Sequence, residues 1–568
     1  QGGPGQQTSV FMRGANSHHT LVLIDGIEVN DPSSPSRAFD FAHLTTDDIE
    51  RIEILRGPNS TLYGSDALGG VINIITKKGQ GKPSFSVSAE GGSYETHREK
   101  IGLSGGSDLV NYSLAASFLE SNGIWSAGHK YGNSERDGYD NLSVSSRVGL
   151  TPTDNFDVDF FLRYIQADTD IDAFAGPLGD DPNYTSSFES IAFRTQAGLF
   201  LFDDLWEQKL GFSLTDYERE TDNSPDPLRP NDFDKSSYDS TIYKIDWQNN
   251  LYLHKTNTLT LGIDYEKETA DSRNLGTFTS FGWPFSVDAE IDNKKADTTG
   301  YFIQDQIKLW DSFFTTLGLR VDDHSKFGSK ATYRIASTYS IDSSGTKFKA
   351  TYGTGFKAPT IYQLYAPVFG NPDLKPEEVK GWDAGFEQTF FQEKALVTFT
   401  YFENDFDNLV ETAVNTSTGL YEFQNVSEAK TKGIEVTASV QPVPNTTLKL
   451  SYTYTDAKDK EEDERLLRRP RNKFGFDIDY RFLDRGDINL NVLYVGKRVD
   501  SFFNEATFEG GTVELGGYTL VNLAASYRVT EKFRLFGRVD NLFDKEYEEV
   551  WGYDTAGIGG YLGGEYTF

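Results

Sequence analysis

The chain contains no cysteine in 568 residues and only one methionine. That excludes a disulfide scaffold, thiolate metal sites and cysteine nucleophiles. No apolar run reaches the ~18 residues that a membrane-crossing helix requires, although strands that cross a membrane show only alternation and stay open. Basic charge is scarce: 54 Lys and Arg face 86 Asp and Glu, a net charge of −32. A nucleic-acid partner needs concentrated Lys and Arg and is excluded. Catalytic signatures are missing too. There is no HExxH, and the glycine-rich 102–106 lacks the strand-to-helix setting of a phosphate loop. Scattered carboxylates leave an all-β glycosidase as a distant alternative. The chain reads as a non-enzyme.

Large aromatic side chains are plentiful. Phe (42) and Tyr (30) help bring aromatics to 14 %, yet mean hydropathy is −0.50. The character of the sequence changes sharply once, near residue 80, which predicts a small unit over 1–80 and a very large one over 81–568. In the first unit, strands are predicted over 10–13, 20–24, 49–55 and 71–75, with a turn at Asp25-Gly26. Gly57-Pro58 stops one strand, an irregular loop follows, and Gly69-Gly70 permits a bend before the next. So small a unit, poor in apolar residues, folds badly alone, and a surrounding wall solves that problem.

From about Lys82 onward, alternation dominates. Leu259, Leu261, Ile263 and Tyr265 share one face while Thr260, Gly262 and Asp264 share the other. The same pattern holds for Leu448, Leu450, Tyr452 and Tyr454, and it runs through Leu562, Gly564 and Tyr566 to the final Phe568. A soluble antiparallel sandwich also alternates. Strands of about ten residues with aromatic ends favour an outer-membrane barrel, as do short turns such as 484–487 set against long polar loops such as 218–240. Sharing the roughly 486 residues after position 82 among 22 strands leaves about 22 for each strand and its loop. Barrels of 22 strands are plugged transporters, though sixteen or eighteen strands fit the same length. The predicted fold is all-β: a 22-stranded antiparallel transmembrane β-barrel with a small α/β plug in its lumen. A passive porin has no use for residues 1–80; it and an adhesin barrel are distant alternatives.

Several motifs then converge. The segments 8–30 and 52–76, Gly355 to Tyr365, Gly370 to Glu377, Lys432 to Val436, Asn541 to Tyr547 and the terminal Phe568 resemble the TonB-dependent transporters of the bacterial outer membrane, in that family's order. The run 2–9, Leu466 to Arg469 and Glu549 to Gly557 are similar to its cobalamin (vitamin B12) receptor branch. Ferric siderophore receptors share most of these motifs.

The resemblance implies a monomer embedded in outer-membrane lipid that binds cobalamin or a related corrinoid without covalent chemistry. Its plug is pulled by a TonB-type energy-coupling protein. The family's segment for that partner is expected to precede Gln1, where the sequence starts abruptly. Substrate contacts are expected from two plug loops, at Gln1, Gln7 and Ser9 and at Ser36, Ala38 and Asp40. Calcium is expected from Glu135 and Asp137 in one outer loop and from Asp172 and Asp180 in the next, since hard oxygen ligands suit that ion. Gly123-Ile124-Trp125 departs from the pattern, with Trp125 where an acid is expected. Asp222, Asp226, Asp232 and Asp234 read as solvated loop charge. His18 and His19 raise haem as a rival ligand, but their place beside a turn argues against it.

Overall fold

The computed structural model describes residues 3–227, 229–280, 283–415, 419–504, 507 and 509–568, with only the backbone of 278–280 and 283–285. Among these residues, 22 strands close into one antiparallel barrel. It runs from Ser84–Gly92 to Gly559–Thr567, and these two strands seal it by pairing Val87 with Tyr566 and Glu90 with Gly563. Closure leaves no sheet edge facing lipid, where unpaired backbone groups are costly.

Turns at one end are short, such as 154–155, 255–256 and 444–445. Loops at the other include 125–136, 171–184, 358–376 and 541–558. The short-turn end is the inner one. The predicted loop over 218–240 is smaller than expected, because Trp206–Asn223 and Phe233–His254 stay paired well beyond the membrane and leave only 224–232 between them. Above the lipid the outward face meets water and the inward face carries buried polar groups such as Ser236 and Ser240, so apolar alternation ceases while the backbone ladder continues.

The outward face carries the apolar alternation. Leu261, Ile303 and Leu319 lie in register on three adjacent strands and are 37–48 % exposed. So broad an exposed apolar belt is tolerated only against lipid.

The lumen holds a four-stranded sheet of order β2-β1-β4-β3: β1 (Thr20–Ile24), β2 (Ile27–Glu28), β3 (Ile49–Arg56) and β4 (Gly70–Thr76). Asp25 and Gly26 take φ of 49° and 80°, as a type I′ hairpin turn demands. Val22, Ile24, Ile27, Ile72 and Ile74 form the core, and Phe161 and Ala192 of the wall complete it. The wall thus supplies apolar surface that the plug lacks.

Three expectations for the plug need correction. Residues 10–13 form no strand: no sheet edge is offered there, Arg13 turns the chain at φ 50°, and Met12 enters the core. The loop between β3 and β4 contains a helical turn, α1 (Ser60–Tyr63), whose Ser60 is fully buried. Ile52, Ile54 and Leu55, read as an apolar run, lie on the edge strand and are 41–50 % exposed.

Candidate binding chamber and its acidic loops

At the outer end, two plug loops are tied to each other and to the wall. Asp40 Oδ1 accepts from Thr8 N at 2.8 Å and from Ala42 N at 2.9 Å, while Phe41 N donates to Thr8 O. Gln6 Nε2 donates to Asp170 O at 2.8 Å, and Thr360 Oγ1 donates to Pro35 O at 3.0 Å. Thr360 caps the helical turn α2 (Ile361–Tyr365) with a capping box. The loops are therefore held by both neighbours before any ligand arrives.

Of the expected contacts, Gln7 is exposed, whereas Ser9, Ser36, Ala38 and Asp40 are half-buried. Gln1 lies outside the described residues. Arg37, between Ser36 and Ala38, is buried and anchors its loop from beneath, pairing with Glu28, Asp66, Glu266 and Glu268.

Arg469 is a functional candidate that residue pattern alone did not single out. Its guanidinium lies 4.1 Å from the ring centroid of Phe11, an exposed plug residue, and donates to Gly14 O, Leu467 O and Asn16 Oδ1. Its hydrogen-bond partners are neutral oxygens. Burial and the adjacent Arg468 push its pKa down to about 10. An under-neutralised cation beside an aromatic ring is suited to an anionic ligand.

The four expected calcium ligands do gather. Asp180 Oδ2 accepts from Ser134 N at 2.6 Å and Glu135 N at 3.2 Å, joining the two outer loops, and Asp137 Oδ2 accepts from Ser126 N at 2.7 Å. Several of their oxygens are buried without a hydrogen-bond partner: Glu135 Oε2, Asp137 Oδ1, both oxygens of Asp172, and Oδ1 of the neighbouring Asp181. Burial, reinforced by Asp137 and the other acids, pushes Glu135 up to about 8; burial and then Asp137 push Asp172 up to about 7. Orphaned, mutually repelling carboxylates are what a hard cation relieves. The donor set fits calcium, but the acids are gathered rather than closed: among the described residues, the one trio of potential ligands converging within 4.8 Å lies elsewhere. Trp125 has a structural task, its Nε1 donating to Ser134 O at 3.1 Å under the Arg136 guanidinium. The acids of the next loop are less solvated than expected. Asp234 lies in a strand and accepts from Tyr184, Thr221 and Ser236, whereas Asp222 is exposed.

Residues 1–71 match the family described as TonB-dependent Receptor Plug Domain, and residues 103–542 that described as TonB dependent receptor-like, beta-barrel. Among solved structures, the chain is similar to a mutant of the ferric enterobactin receptor PfeA from Pseudomonas aeruginosa, at 20 % identity and TM-score 0.82, covering 100 % of this chain and 93 % of that one. It is also similar to the siderophore receptor PirA from Acinetobacter baumannii (21 %, TM-score 0.79, 100 % and 93 %). A third is the ferripyoverdine receptor of the Pseudomonas aeruginosa outer membrane (16 %, TM-score 0.80, 100 % and 83 %). At such identities the likeness is one of fold.

Proposed function

Because the chain belongs to the TonB-dependent receptors of the bacterial outer membrane, we propose that it binds a corrinoid of the cobalamin type over the plug loops and passes it inward when an energy-coupling protein pulls on the plug. The observation that carries this reading is the set of orphaned carboxylates on two adjoining outer loops. Glu135, Asp137, Asp172 and Asp180 are the residues that would hold calcium, with Asp181 beside them. A bound calcium ion supplies charge neutralisation. The chain's own part is to join the loops through Asp180 and to order them over Gln7, Ser9, Ser36, Ala38 and Asp40, the proposed ligand contacts.

A second reading, a ferric siderophore, has two supports. The similar solved structures carry siderophore-receptor names. Arg469 over Phe11 also suits a negatively charged chelate. The comparisons favour this second reading and the acidic loops the first.

Titration of the detergent-solubilised protein separates them. The corrinoid reading expects saturable cyanocobalamin binding that weakens at least tenfold in EDTA and returns with calcium. Cyanocobalamin binding indifferent to EDTA removes calcium from the proposal. Saturable binding of a ferric catecholate, with none of cyanocobalamin, replaces the first reading by the second.

A further inference from the structure

We propose that His18, His19 and Glu377 form a site for a divalent transition-metal ion, of which zinc is the type, that fastens the plug to the barrel wall. Among the described residues, theirs is the one trio of His, Asp or Glu side chains whose ligand atoms all lie within 4.8 Å of one another. His18 and His19 stand together on the 3-10 turn Ser17–His19 of the plug. Glu377 is the first residue of the wall strand Glu377–Phe390, so the site spans the two units.

The spacing suits a shared ion. His19 Nε2 is 3.0 Å and His18 Nε2 3.9 Å from Glu377 Oε2. Two ligand atoms each ~2.1 Å from one ion stand about 3.0 Å apart at a right angle and about 3.4 Å apart at the tetrahedral angle. The two measured separations bracket that range, and the three ligand atoms all lie within 4.8 Å of one another.

The ligands are also held in place. His19 is buried and stacks on Phe406, with centroids 5.4 Å apart at 14°, and His18 meets it edge-on at 4.4 Å. Val410 N donates to Glu377 Oε1 at 2.8 Å, which orients the carboxylate from behind and leaves Oε2 facing the imidazoles. His19 Nδ1 is buried without a hydrogen-bond partner. Burial, then the adjacent His19, lowers the pKa of His18, and it is the neutral imidazole that ligates a metal. Lys357 and Arg469 also act on His18 as cations; Lys357 is paired with Asp66.

Two imidazoles and one carboxylate select zinc, copper, nickel or cobalt over calcium, so this site is chemically distinct from the acidic outer loops. It stands whichever ligand the receptor carries.

The test uses the full chain in detergent, stripped with chelator and then titrated with Zn2+ by calorimetry and with Co2+ by visible absorption. His18→Gln is the diagnostic variant, because it leaves the hydrogen bond between His19 and Glu377 intact. The expected result is one zinc per chain, weakened at least tenfold by His18→Gln and unchanged in Glu135→Gln/Asp172→Asn. Zinc should also slow proteolysis of the plug in the parent but not in His18→Gln, with both remaining heat-modifiable barrels. Zinc affinity unchanged by His18→Gln, binding lost in the acidic-loop variant, or no stoichiometric zinc on the folded parent overturns the proposal.

Discussion

Arg13 Nη1 of the plug donates to Asp383 Oδ2 of the barrel wall at 2.9 Å. The other arm of the same guanidinium reaches Glu435 Oε2, also at 2.9 Å. The side chain is 6 % exposed and its ring neighbour is Phe402, 4.8 Å away. One planar cation therefore bridges two strands of the wall from inside. Arg13→Ala takes the counter-charge from two half-buried carboxylates, of which Glu435 keeps Arg56 at 3.5 Å, and is expected to cost plug docking ~1.5–3 kcal/mol. Arg13→Lys is expected to restore little, since a point charge cannot span both acids. Hydrogen exchange should rise throughout the plug while the barrel keeps its heat-modifiable mobility on gels.

Gly70 makes a sharper local prediction. It opens β4 at φ 153°, and a Cβ there would lie 2.2 Å from Met12 Sδ and 2.3 Å from Leu55 O. The methionine can move, but the carbonyl belongs to the paired strand β3. Gly70→Ala is expected to destabilise the plug by ~2 kcal/mol or more. Limited proteolysis should then cut near β4 faster than in the parent, with the wall untouched.

The acidic loops predict a pH dependence with a definite sign. Their geometry raises Glu135 from 4.5 to about 8 and Asp172 from 3.8 to about 7, so the assembled loops bind protons more tightly than the open ones. Without a cation, loop assembly is most favourable at low pH and weakens as pH rises from the ordinary carboxylate range through those raised values. Calcium must displace the same protons, so its affinity runs the opposite way. It is expected to rise about tenfold or more between about pH 6 and pH 8, with protons released on binding. Calorimetry in buffers of different ionisation enthalpy measures both quantities.

On the lipid face, Ile303 lies between Leu261 and Leu319 of the adjoining strands, six residues from the inner end of its own strand. At a ~3.3 Å rise and a ~45° tilt this is about 14 Å up, near the membrane midplane. Ile303→Arg is expected to cost ~2–4 kcal/mol, falling toward zero for the same change made at the interface. Reversible unfolding in lipid vesicles gives the number.

The barrel wall was legible because lipid imposes a strict pattern. Leu259, Leu261, Ile263 and Tyr265 alternate whatever the rest of the chain does, since each outward position meets hydrocarbon. The same cue failed at 218–240, where the strands rise into water and need no apolar face. In the plug, β1 and the Asp25-Gly26 turn could be read locally. The segment 10–13 could not, because a strand needs a neighbour, and whether one exists is a fact of tertiary structure.

The candidate site divides in the same way. That acids crowd the two outer loops was visible in order along the chain. That Asp180 joins those loops, that Asp172 is set among the other acids and that Trp125 braces the Ser134 carbonyl required the fold. His18 and His19 read as an ordinary turn because Glu377 is 358 residues away from His19. The sequence by itself determined the membrane-crossing strands and the family, through the period of its apolar residues and the order of its short motifs. Tertiary structure alone decided which charges meet, because ring closure brings plug and wall together across hundreds of residues, and no local pattern encodes that distance.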